Sequence, residues 1–169
     1  EVHLVLAGDR PAQLTGNQLL STLFGAQLHF TGAEESHWGE LEIAREAVTD
    51  DLTAAGAAPY AIPIGGSTPV GAVGYAVAFV EMMEQFQRVG IAPAAIVFTS
   101  SSGGTHAGLV AGRALWRARG NAVPEVLAIG VAKGVNMGMP DIRDLARSTI
   151  ELLDAPGEAG CVVDRERGA

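Results

Sequence analysis

Apolar positions along the chain alternate between a two-residue and a three-to-four-residue period. Short runs rich in β-branched residues predict strands at Val2–Ala7, Ala26–Thr31, Ala94–Thr99 and Val126–Ala132. Between them, apolar residues recur at helical spacing. One helix is predicted over Gln18–Phe24 and stops at Gly25; another runs over Ser36–Gly56, with Leu41, Ala44, Ala47, Val48 and Leu52 as its stripe. A third, Gly71–Gln87, carries Tyr75, Ala78, Phe79, Met82, Met83 and Phe86 on its apolar side and ends at Gly90. Thr105–Arg119 and Pro140–Leu153 complete the set, the latter with Asp141 and Asp144 near its positive end. Tyr60–Ile64 reads as the end of a further strand, and Cys161–Val163 opens another. Strands alternating with helices predict an α/β fold with open, mostly parallel sheets and flanking helices.

Two of the predicted strand-to-helix junctions are built from small residues. Ser100-Ser101-Ser102-Gly103-Gly104-Thr105 follows the Ala94–Thr99 run, and Gly65-Gly66-Ser67-Thr68-Pro69-Val70-Gly71 follows Tyr60–Ile64. The first has no Walker lysine, no Gly-x-Gly-x-x-Gly spacing and no acidic residue after the following strand, which disfavours nucleotide hydrolases and dinucleotide binders. What remains is a single-phosphate cradle. The N–H groups of Ser102, Gly103, Gly104 and Thr105 and the Thr105 hydroxyl would be its donors, at the positive end of a helix dipole. The competing reading is a tight connection with Thr105 as a cap. The second loop offers further N–H groups for a carboxylate or another face of the same ligand, or it is ordinary turn chemistry. Both loops are expected at strand C-terminal ends of one parallel sheet, where open α/β sheets bind ligands.

Composition narrows the partners. Hydrophobic residues make up 48% and charged residues 18%, which excludes whole-chain disorder. Nineteen acidic against 11 basic residues, a net charge of −8, supply no basic stripe for nucleic acid and no attraction to an anionic membrane. Cys161 is the only cysteine, which rules out an internal disulfide framework and fits a reducing, cytoplasmic setting. His3, His29 and His37 share no metal-ligand spacing, so no metal is expected. No apolar run spans a bilayer, and no signal-peptide pattern opens the chain. Glu1 leads directly into a strand, and from this the chain is expected to be the middle of a longer polypeptide.

Ile62-Pro63-Ile64-Gly65-Gly66-Ser67 with Gly71-Ala72-Val73-Gly74-Tyr75, then Thr99-Ser100-Ser101-Ser102-Gly103-Gly104-Thr105-His106-Ala107-Gly108-Leu109, resembles the D-cysteine desulfhydrase and 1-aminocyclopropane-1-carboxylate deaminase family. Gly16-Asn17-Gln18-Leu19-Leu20 with Leu23-Phe24-Gly25-Ala26 resembles another of its segments. The resemblance implies a tryptophan-synthase-β-like fold of type II, here incomplete. Residues 1–60 would belong to the smaller cofactor-side domain and 61–169 to the larger one. It implies pyridoxal 5′-phosphate as cofactor, with Ser102, Gly103, Gly104 and Thr105 on its phosphate and Gly65, Gly66 and Ser67 near the cofactor or substrate. A small amino acid is the implied substrate and a homodimer the implied assembly.

The family's Schiff-base lysine lies upstream of anything matching Glu1, so no catalytic residue is assigned. The only lysine, Lys133, reads as a solvated loop residue, and Met137 and Met139 as part of the same loop. His106 either faces the cofactor or merely neighbours a helix cap. The function expected is a pyridoxal-phosphate-dependent lyase, D-cysteine desulfhydrase first and 1-aminocyclopropane-1-carboxylate deaminase second. A non-catalytic phosphate-ligand-binding domain and a plain sugar-phosphate or nucleotide-binding domain are the alternatives from other classes.

Overall fold

The computed structural model describes residues 1–33, 38–131 and 141–154. Its elements are β1 (His3–Leu6), α1 (Gly16–Leu23), β2 (Gln27–Phe30), α2 (Trp38–Ala54), a 3-10 turn at Ile64–Gly66, α3 (Pro69–Val89), β3 (Ala95–Ser100), α4 (Gly104–Ala118), β4 (Glu125–Gly130) and α5 (Ile142–Asp154). The chain divides into two compact units, Glu1–Ile62 and Pro63–Ala169.

In the first unit β1 and β2 pair in parallel, from His3 opposite Gln27 to Leu6 opposite Phe30. A parallel pair needs a crossover, and α1 supplies it.

In the second unit β3 and β4 also pair in parallel, from Ala95 opposite Glu125 to Ser100 opposite Gly130, with α4 as the crossover. Helices α3 and α4 approach closely because Gly108 and Gly112 present no side chain. A Cβ on Gly108 would overlap the Ala72 carbonyl oxygen, and one on Gly112 would lie 2.6 Å from that of Ala76. Contacts step in the same direction along both helices, 67 with 104, 72 with 108 and 76 with 112. The two helices therefore run parallel with their N-termini level.

Two cores hold this arrangement. Ala72, Ala76, Ala107 and Ala111 meet Leu145, Ala146 and Leu153 of α5. Phe79, Met83, Leu109 and Trp116 pack against Ile96, Phe98 and Val126 of the strands. The buried Thr149 hydroxyl is satisfied by donating to the Leu145 carbonyl at 2.7 Å. The other face of the β3–β4 pair carries Val97, Leu127 and Ile129, all exposed.

Several expectations change. Tyr60–Ile64 forms no strand: Tyr60 is 75% and Ile62 64% exposed, and Pro63 has no N–H to give a ladder. Apolar composition alone suggested a strand there, but the run lies on the surface. The described strands form two separate two-stranded parallel sheets, and no strand leads into the Gly65–Gly71 loop, so the two loops do not follow strands of one sheet. Tyr75 is 47% exposed, although its Cβ rests over Gly108. Helix α3 begins at Pro69, two residues earlier than its periodicity indicates, because Thr68 caps it. Ser36, His37, Lys133, Met137, Met139, Pro140 and Cys161–Val163 lie outside the described residues.

Candidate functional site

The site forms where three helices of the second unit begin. Strand β3 ends at Ser100, and the chain turns through Ser101 and Ser102 to Gly103, the residue that precedes α4. Gly103 has φ 90°, a left-handed conformation, and a Cβ there would lie 2.6 Å from Ile142 Cδ1 at the start of α5. Thr105 is thus not the cap: the helix begins at Gly104, after a residue with no side chain to cap it.

The three N-termini are finished differently. At α3 the Thr68 hydroxyl accepts from the Gly71 N–H at 3.1 Å, with Pro69 in the first turn. At α5 Asp141 Oδ1 accepts from the N–H groups of Arg143 at 2.8 Å and Asp144 at 3.4 Å. At α4 only the first N–H is engaged by a side chain, and that side chain comes from the other loop: Gly104 donates to Ser67 Oγ at 3.1 Å. The N–H groups of Thr105 and His106 meet no acceptor among the described residues. Neither does the Thr105 hydroxyl, which is partly exposed.

The two glycine-rich loops interlock. A Cβ on Gly65, which has φ 69°, would overlap the Ser102 side chain, so this contact requires glycine. Ser67 is buried between the loops at 7% exposure. The second loop is less generous with donors than its sequence suggests. Gly66 donates to the Pro63 carbonyl at 2.9 Å, Thr68 to the Gly66 carbonyl at 2.8 Å and Gly71 to Thr68. Half of its six N–H groups thus close its own turn.

Electrostatics concentrate positive potential at the α4 start. Helices α3 and α4 are parallel with level N-termini, so their dipoles add there. His106, in the first turn of α4, sits edge-on to Phe98 with ring centroids 5.5 Å apart. Burial of its ring lowers its pKa below the ordinary histidine value. The neutral imidazole is thereby favoured, and backbone amides line the start of the helix.

Elsewhere, the structure joins two residues that their spacing separates. His3 Nδ1 and His29 Nε2 lie 3.0 Å apart with stacked rings, because the β1–β2 register brings them onto one face. Among the described residues no group of three His, Cys, Asp or Glu is placed to hold a metal ion. No described helix is long and apolar enough to cross a membrane.

Residues 1–162 match the family model for "Pyridoxal-phosphate dependent enzyme". A protein of Pyrococcus furiosus provisionally named 1-aminocyclopropane-1-carboxylate deaminase is 37% identical over 155 residues, which are 90% of this chain and 44% of that protein. The D-cysteine desulfhydrase of Serratia proteamaculans is 42% identical over 97 residues, 57% of this chain and 28% of its own. A crystal structure described as an ACC deaminase homologue superposes with a TM-score of 0.68 at 32% identity, covering 91% of this chain and 44% of the other. The chain spans less than half the length of these relatives.

Proposed function

The chain belongs to the pyridoxal-phosphate dependent enzymes, and on that premise we propose that the Ser102–Thr105 turn holds the cofactor's 5′-phosphate in a lyase acting on a small amino acid. The observation that carries this reading is the open start of α4. Its second and third N–H groups are unpartnered beside a free threonine hydroxyl, while at the neighbouring helices capping side chains take first-turn N–H groups: Thr68 that of Gly71, leaving Val70 free, and Asp141 those of Arg143 and Asp144. A phosphate dianion suits such a donor set: amide and hydroxyl hydrogen bonds to a charged acceptor are stronger than neutral ones.

When bound, pyridoxal phosphate supplies the electron-withdrawing ring that makes the substrate α-carbon acidic. The contribution of this chain is to hold the phosphate and fix its orientation. Thr105 and His106 donate through their amides, Thr105 also through its hydroxyl, and the Ser102 side chain is held against Gly65 at the rim. Ser102 and Gly103 offer their own N–H groups. Gly65 and Gly66 border the same cup.

The substrate we favour is D-cysteine, converted to pyruvate, sulfide and ammonia. The Ser102-Gly103-Gly104-Thr105-His106-Ala107-Gly108 form and the higher identity to a D-cysteine desulfhydrase support it. Ring-opening deamination of 1-aminocyclopropane-1-carboxylate is the second reading, favoured by the match that extends over 90% of the chain. The same proposal assigns residues 1–60 to the smaller domain, 61–169 to the larger, and the family-length protein to the cytoplasm as a homodimer.

Thermal unfolding with added ligands tests the cofactor reading. At about 100 times its dissociation constant, pyridoxal phosphate adds roughly 2.7 kcal/mol of stability by mass action. Pyridoxal, lacking the phosphate, is expected to shift the midpoint far less. Stabilisation by a nucleotide or inorganic phosphate but not by pyridoxal phosphate would sink the proposal.

A further inference from the structure

Ser67 occupies an unusual place at the start of α4. Helices commonly receive a cap from the residue just before them, but Gly103 has no side chain and no room for one against Ile142. The acceptor arrives instead from a residue 37 positions earlier: Ser67 Oγ takes the Gly104 N–H at 3.1 Å. Gly104 itself leaves no slack, since a Cβ on it would lie 3.0 Å from that oxygen. Ser67 is buried, so water competes poorly for the bond.

We infer that Ser67 is a positioning residue, a cap supplied by another loop of the same chain, that presets the phosphate cup while touching no phosphate itself. It engages the first N–H of α4 and leaves the second and third, those of Thr105 and His106, aligned and free for the anion. An ordinary Ser or Asp cap at position 103 would accept from those N–H groups and close the cup. Moving the cap to the other loop resolves the conflict between finishing a helix and keeping its end open. It also couples the loops: Ser67 and the Gly65–Ser102 contact lock the start of α3 to the start of α4. The sequence motif around Gly65-Gly66-Ser67 thereby acts on the cofactor site through Gly104, not through donors of its own. This inference rests on the phosphate reading proposed above for Ser102–Thr105.

The test compares the whole chain with its Ser67→Ala and Ser67→Thr variants by amide hydrogen exchange and by pyridoxal phosphate binding in equilibrium dialysis. Ser67→Ala is expected to lose protection at Gly104 while the interiors of α3 and α4 keep theirs. Its affinity for pyridoxal phosphate is expected to fall about fivefold, the size of one lost cap. Ser67→Thr, which keeps the hydroxyl, should restore both. Undiminished affinity in Ser67→Ala, or unchanged Gly104 exchange, overturns the inference. Protection lost throughout α3 and α4 would mean that Ser67 supports the fold at large, and that result overturns it too. If the wild-type chain itself takes up no pyridoxal phosphate, the cofactor reading fails, and Gly104 exchange alone decides whether Ser67 is the cap.

Discussion

Helices α3 and α4 lie side by side, begin at the same level and follow glycine-rich loops, yet their first turns are chemically opposite. At α3, Thr68 accepts from Gly71 and Pro69 has no N–H to leave unsatisfied. At α4, Gly103 offers nothing and the free amides of Thr105 and His106 remain. One end carries a cap from its own sequence and keeps a single free N–H, that of Val70; the other keeps two, beside a free hydroxyl. Two similar loops can thus do different work, and the difference lies in which residue precedes the helix. Ligand sites of this kind are left by withholding a cap as much as by adding donors.

The comparison depends on the helices staying level, and breaking that should have the largest effect. Gly108→Ala drives a methyl into the Ala72 carbonyl and is expected to cost about 3 kcal/mol in urea denaturation, with cofactor affinity lost alongside. Next comes Thr105→Ala at the open end. Removing a hydroxyl that donates to a charged group should weaken pyridoxal phosphate binding by about tenfold or more while leaving the melting temperature of the free chain nearly unchanged.

Thr68→Ala at the closed end should do the reverse. A loss of about 1 kcal/mol of stability is expected, with cofactor affinity changed by less than about twofold. Equal effects of the Thr105 and Thr68 variants on affinity would erase the distinction between the two ends.

The smallest effect concerns acid. Burial lowers the pKa of His106 in the folded chain below its ordinary 6.5. On acidification the unfolded chain therefore takes up this proton first, and stability falls as pH drops below about 6.5 towards the folded value. Denaturant titrations between neutral pH and pH 5 should show this slope, and His106→Gln should flatten it.

Much of the comparison was legible in the sequence. Hydrophobic periodicity located α3 and α4 to within two residues, since their stripes are long and pack into both cores. Small residues at 100–105 marked a junction with free amides. What local reading missed was non-local. No pattern near Ser67 indicates an acceptor for an N–H 37 residues away. Tyr60–Ile64 misled because an apolar run gives no sign of whether a partner strand exists, and Pro63 weakens the ladder it would need. His3 and His29 came together only through strand register. The free first-turn amide of His106 is not legible locally, because periodicity starts the helix at Thr105 rather than Gly104.

The central claim is that α4, and not α3, presents its N-terminal amides to the cofactor phosphate. An amide-resolved NMR titration of the whole chain with pyridoxal phosphate tests it most directly, with pyridoxal as the phosphate-free control. The account predicts saturable downfield shifts at Thr105 and His106, small changes at Val70 and Gly71, and none of these with pyridoxal. Shifts centred on Val70 and Gly71, or equal responses to both ligands, would contradict it.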